Sequence, residues 1–106
     1  MIEATLTKDG EGQITELNIK NHGHGTACAA VSMLTLNTIN SIEAFTEDDI
    51  ACEYDENGGY LHFTVNRHDI SEGTKILLKA LELGLVSTKE EYPKEIRLEV
   101  KTSQQE

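Results

Sequence analysis

Tryptophan is missing from the sequence, proline occurs once and cysteine twice, at Cys28 and Cys52. Two cysteines cannot build the dense disulfide framework that holds small secreted domains together, so the fold must rest on an apolar core. No apolar run approaches the roughly 20 residues needed to span a bilayer. A secretory leader is not expected either, because Met1 to Thr7 alternates apolar and polar residues and Lys8 and Asp9 follow at once. Basic residues are scarce, with 9 Lys and Arg against 19 Asp and Glu and a formal charge of -10. That balance argues against a general nucleic-acid binder, which needs Lys and Arg gathered on one face. It suits a basic protein or peptide as partner, or serves solubility alone. No glycine-rich phosphate loop is present, since Gly58-Gly59 reads as a turn and no Gly-Lys follows a strand. No pair of carboxylates stands out from the general acidic excess. The expectation is a soluble, cytoplasmic protein with reduced thiols and no cofactor.

What is present is a clear alternation of periods. Ile2, Ala4 and Leu6 point to one side and Glu3, Thr5 and Thr7 to the other, the pattern of a half-buried strand. Asp9-Gly10-Glu11-Gly12 supplies turn chemistry, and Gln13 to Lys20 forms a second strand through Leu17 and Ile19. From Ala27 the period changes: Val31, Leu34, Thr38, Ile42 and Phe45 share a helical face, with Thr26 as the expected N-cap and an end near Phe45. Asp48 to Tyr54 and Tyr60 to Val65 flank a second turn at residues 55–59, with Leu61, Phe63 and Val65 as the buried side. Ser71 caps a second helix whose stripe is Leu77, Ala80, Leu81, Gly84 and Leu85. A short turn from Lys89 to Tyr92 and Pro93 end it, and Ile96, Leu98 and Val100 form a last strand. The order ββαββαβ predicts a single α+β domain over residues 1–101, a mixed sheet with two main helices, and a polar tail from 102 to 106.

One stretch concentrates reactive side chains: Asn21-His22-Gly23-His24-Gly25-Thr26-Ala27-Cys28-Ala29-Ala30-Val31-Ser32. It joins a strand end to a helix start. In the first turn of a helix, backbone N–H groups and the positive end of the dipole favour a thiolate. His22 precedes Cys28 by six positions across a loop that Gly23 and Gly25 allow to fold tightly. A thiolate beside an imidazole is sufficient for acyl transfer, and helix-start N–H groups can hold an oxyanion. Two other readings stay open. Cys28 can be a small packing residue in a domain that only binds its partner. Alternatively, His22, His24 and Cys28 can be three ligands of a metal, although local spacing supplies no fourth. Cys52, on the parity of Ile50 and Tyr54, reads as packing; His62 faces the less buried side of its strand, and His68 is expected at the surface.

With these residues in view, the chain resembles the ribosomal-processing cysteine proteases, small bacterial enzymes that trim the N-terminal extension of a large-subunit ribosomal protein. The resemblance runs along nearly the whole length. It includes the Met-Ile-x-Ala strand, the His-Gly loop, Cys28-Ala29-Ala30-Val31-Ser32, Asn57-Gly58-Gly59-Tyr60, and Glu91-Tyr92-Pro93 leading to Ile96-Arg97-Leu98. It implies Cys28 as nucleophile, His22 as its base with His24 as the alternative, and Ser32 as a supporting hydrogen-bonding residue. It further implies a ribosomal-protein precursor as peptide substrate, and a homodimer. The non-catalytic alternative is a module binding the same ribosomal protein. Asn21 stands where the family has glycine before the histidine, and Gly25 and Thr26 where many members have an aspartate before the cysteine.

Overall fold

A computed structural model describes residues 1–21, 25–55, 59–66 and 70–103. The elements run β1 (Ile2–Lys8), β2 (Ile14–Lys20), α1 (Thr26–Phe45), β3 (Ile50–Asp55), β4 (Tyr60–Val65), α2 (Glu72–Glu91) and β5 (Ile96–Thr102). The strands form one sheet in the order β3-β4-β2-β1-β5. Neighbours are antiparallel except β1 and β5, which are parallel because α2 carries the chain back to the same end. This is the mixed sheet with two helices in the order ββαββαβ that the alternating periods predict.

The period-2 pattern sends Ile2, Ala4, Leu6, Leu17, Ile19, Phe63 and Val65 to one face, where α1 and α2 bury them. On the other face His62 and Glu16 stand half-exposed, with His62 Nε2 2.5 Å from Glu16 Oε2. The β1–β2 connection is closed by Asp9, whose Oδ1 accepts the N–H groups of Glu11 and Gln13 at 2.9 and 3.0 Å. A register shift falls at Thr7/Lys8, so the hairpin carries an irregularity that the alternation did not announce. Cys52 packs beside the core opposite Phe63, and neither cysteine is in a disulfide. At the C-terminal end, β5 continues through Thr102 and Ser103 N–H donates to Lys8 C=O at 2.7 Å, beyond the boundary expected at residue 101.

The helices correct four expectations. The residue capping α1 is Gly25, not Thr26, and among the described residues no side chain caps this end. The buried stripe of α1 is Ala27, Cys28, Val31, Thr35, Thr38, Ile39 and Ile42, whereas Phe45 is 79% exposed because the last turn overhangs the sheet. In α2 the buried line passes through Thr74, Leu78, Leu81, Leu85 and Thr88, leaving Ala80 exposed, and the helix absorbs Lys89 to Glu91. Gly84 lies at the helix–helix contact, where a larger residue would require the Leu34 side chain to shift. A Cβ there would lie 2.7 Å from Leu34 Cδ2 on α1.

The Thr35 hydroxyl is buried in mid-helix with no hydrogen-bond partner among the described residues. An unpaired buried hydroxyl costs about 1–2 kcal/mol, and valine has nearly the same shape. Thr35→Val is therefore expected to raise the melting temperature by about 4 °C, read by circular dichroism. An unchanged or lower value would show that the hydroxyl has a partner in solution.

Ser71 caps α2 as expected, its Oγ accepting Thr74 N–H at 3.3 Å. The cap is itself gripped by Asp48 from the α1–β3 connection. That carboxylate accepts Ser71 N–H, Ser71 Oγ–H at 2.7 Å and the Thr74 hydroxyl. These donors hold the Asp48 carboxyl below its ordinary value of 3.8, Thr74 contributing most and Ser71 next. The depressed value means that its stabilising contribution is present at neutral pH and is lost as pH falls below 3.8 through the folded-state value. Asp48→Asn should melt below the parent chain at pH 7, and the gap between the two should narrow on acidification. A gap that is constant with pH would remove the charged hydrogen bonds from the account.

Candidate active site

The site is assembled where β2 ends and α1 begins. Asn21 closes β2 in a left-handed conformation, φ 59, which among residues with side chains asparagine tolerates best. Its Nδ2 donates to Glu3 Oε2 at 2.8 Å, tying the strand end to β1 across the sheet. After residues 22–24, Gly25 takes φ 116, a value that an L side chain rarely adopts, and turns the chain into α1. The first intrahelical bond is Ala29 N–H to Gly25 C=O at 3.0 Å.

Cys28 is thus the third residue of α1, within its first turn. No acidic residue lies in that turn, so no carboxylate of the turn itself offsets the positive end of the helix dipole. Ala27 is 1% exposed and Val31 fully buried, and they anchor the turn to the core while Thr26 remains at the surface. Cys28 itself is 8% exposed and belongs to the same apolar cluster. Ser32 follows one turn later and is half-buried. His22, Gly23 and His24 lie outside the described residues, so the structure brings together Cys28, Ser32, Gly25 and Thr26 and leaves both candidate bases unplaced. His68 falls outside them as well. The roles of Asn21 and of Gly25 as cap went unread in the sequence, although an asparagine directly after an alternating run was the signal for the first.

Among the described residues, no group of three or more His, Cys, Asp or Glu side chains is gathered as a metal site. A polar depression of about 390 Å³ opens at the opposite end of the sheet, between the Asp9–Gln13 connection and Lys75 and Lys79 of α2. It shares no residue with the Cys28 turn. No described helix is long and apolar enough to cross a membrane.

Known proteins share both the sequence pattern and this geometry. A curated relative, the ribosomal processing cysteine protease Prp of Staphylococcus aureus, is 29% identical over 108 residues, covering 95% of this chain and all of its own. The crystal structure of S. aureus Prp with a covalently linked product peptide superposes with a TM-score of 0.87 at 27% identity, over 94% of this chain and 99% of that one. The same enzyme with a substrate peptide gives 0.86 at 25% identity, with the same coverage. SMU.848 from Streptococcus mutans gives 0.86 at 26%, over 97% of this chain and 99% of its own. The family model for the cysteine protease Prp matches residues 1–97. The chain belongs to the cysteine protease Prp family.

Proposed function

We propose that this cysteine peptidase removes the N-terminal extension of a large-subunit ribosomal protein precursor, with Cys28 as nucleophile and His22 as general base. One observation carries the assignment of Cys28: it sits in a helix-opening turn that holds no carboxylate and, among the described residues, no side-chain cap. Backbone N–H groups there face whatever anion forms at the turn. In the proposed reaction His22 takes the thiol proton and the sulfur attacks the scissile carbonyl. Helix-start N–H groups receive the oxyanion, His22 returns the proton to the departing amine, and water releases the acyl-enzyme. Gly23, Gly25 and Thr26 shape the loop against the substrate, His24 flanks it, and Ser32 supports the turn from one helical step away.

His22 is preferred to His24 as base on register. The left-handed Asn21 occupies a conformation that a glycine satisfies without strain, so Asn21-His22 replaces the Gly-His pair of the family. The S. aureus relative crystallised with substrate and product peptides, which fits a peptide substrate here. We also place the protein in the cytoplasm, where that precursor is made. A homodimer is part of the proposal, because α1 exposes Met33 and Leu36 and α2 exposes Ile76, Leu83 and Val86, apolar side chains that a second copy could cover.

The test is to incubate the purified chain with the precursor and with the same protein lacking its extension. Mass spectrometry should show one new N-terminus in the first and no change in the second. A second reading, a binding module in which Cys28 only packs, draws on the 8% exposure of that residue. Alkylation separates the two. A nucleophile reacts with iodoacetamide faster than a cysteine peptide at neutral pH, and a packing thiol reacts more slowly.

A further inference from the structure

The sheet has an edge whose chemistry the peptidase reading has not used. β3 pairs with β4 and with no other described strand. Its register and the bond from Asn66 N–H to Asp49 C=O decide which backbone groups remain. Residues 49 and 66 stand opposite each other and are hydrogen-bonded, so 51, 53 and 55 also bond inward to β4. The N–H and C=O groups of Ile50, Cys52 and Tyr54 therefore point out of the sheet. β3 contains no proline, no lysine and no register shift, and the charged side chains it does carry, Glu53 and Asp55, are both acidic. From Glu43 to Asp55 the chain carries six acidic residues and no Lys or Arg. Burial of Cys52, with the nearby charges of Glu43 and Glu53, pushes the pKa of its thiol up.

We propose that this edge is where the substrate docks: an extended segment of the precursor rich in Lys or Arg adds to β3 as a sixth strand. The inference rests on the peptidase reading above and names how its substrate is held. Charge selects the occupant. A second copy would bring the acidic strip of β3 against another acidic strip, whereas a protein that binds ribosomal RNA is basic and complements it. The opposite edge, β5, alternates Arg97, Glu99 and Lys101 and offers no such preference. Position agrees as well. Asp55 lies level with Tyr60 and Lys20, so β3 ends at the same margin of the sheet as β2, two strand spacings or about 10 Å away. From Lys20 the chain leads directly into the Cys28 turn, and a few extended residues cover that distance.

Binding is measured with the full-length Cys28→Ala chain and a fluorescein-labelled peptide spanning the extension junction, by anisotropy, so that catalysis plays no part. The peptide is N-methylated one residue at a time along its basic segment. Methyl groups on one parity should weaken binding about tenfold, and on the other parity less than about twofold, because only alternate N–H groups face β3. Tyr54→Pro, which removes an outward N–H and no inward one, should weaken the parent peptide similarly. Glu53→Gln with Asp55→Asn should weaken it and flatten its salt dependence. Equal effects of both parities, or no binding at all, would overturn the proposal. So would self-association that Tyr54→Pro abolishes, since the edge would then belong to a second copy. Failure of precursor cleavage by the intact chain, with parity-dependent binding preserved, would instead fall on the peptidase reading alone.

Discussion

Replacing Cys28 by alanine is expected to reduce kcat/KM for a fluorogenic peptide spanning the extension junction by at least ~10⁴-fold, to the background rate. The magnitude follows from the role. Without the sulfur no acyl-enzyme forms, and helix-start N–H groups cannot by themselves supply a nucleophile as strong as a thiolate. The fold should survive, because alanine removes one small atom from a turn already held by Ala27 and Val31. The loss in stability should be about 1 kcal/mol, small enough for a melting curve to show a cooperative transition. Cys28→Ser tests the same point with nearly the original shape, and its activity should fall comparably. A chain that keeps a tenth of its activity without the sulfur would remove Cys28 from the chemistry.

The route from sequence to this site shows which features a single chain makes legible. Strands were readable where alternation was uninterrupted, as at Ile2, Ala4 and Leu6, since each such residue reports its own side of the sheet. The position of Cys28 in a helix-opening turn was readable too, because Gly25 breaks the strand period and Ala27 to Val31 begins the helical one. Phase along the helices was less secure. Phe45 fitted the apolar line of α1 but projects past the sheet, while Thr35, which that line did not include, lies on the buried side. Leu77 and Leu78 are both apolar, and only the packing of α2 shows that Leu78 is the fully buried one. The Asp48 grip on Ser71 and Thr74 joins residues 23 and 26 positions apart, a relation that no local pattern carries. The same holds for Asn21 and Glu3, which only the pairing of β1 with β2 brings together.

That last contact gives the second large effect its direction. His22→Ala should lower kcat/KM by about 10³- to 10⁴-fold and slow the alkylation of Cys28 at neutral pH, because general-base assistance is worth factors of this size. His24→Ala should change kcat/KM by less than about threefold if it only flanks the substrate. The distinction rests on where the loop departs from β2. Asn21 is fixed by its left-handed backbone and its bond to Glu3, so the residue immediately after it starts from a defined point on the sheet. His24 follows two positions later in the sequence, beyond Gly23. Kinetics of the two single variants and of the double variant decide the assignment. A large loss confined to His24→Ala would move the register by two positions and make His24 the base. Comparable losses in both single variants, with no further loss in the double, would mean that the two imidazoles act as one unit on the thiol.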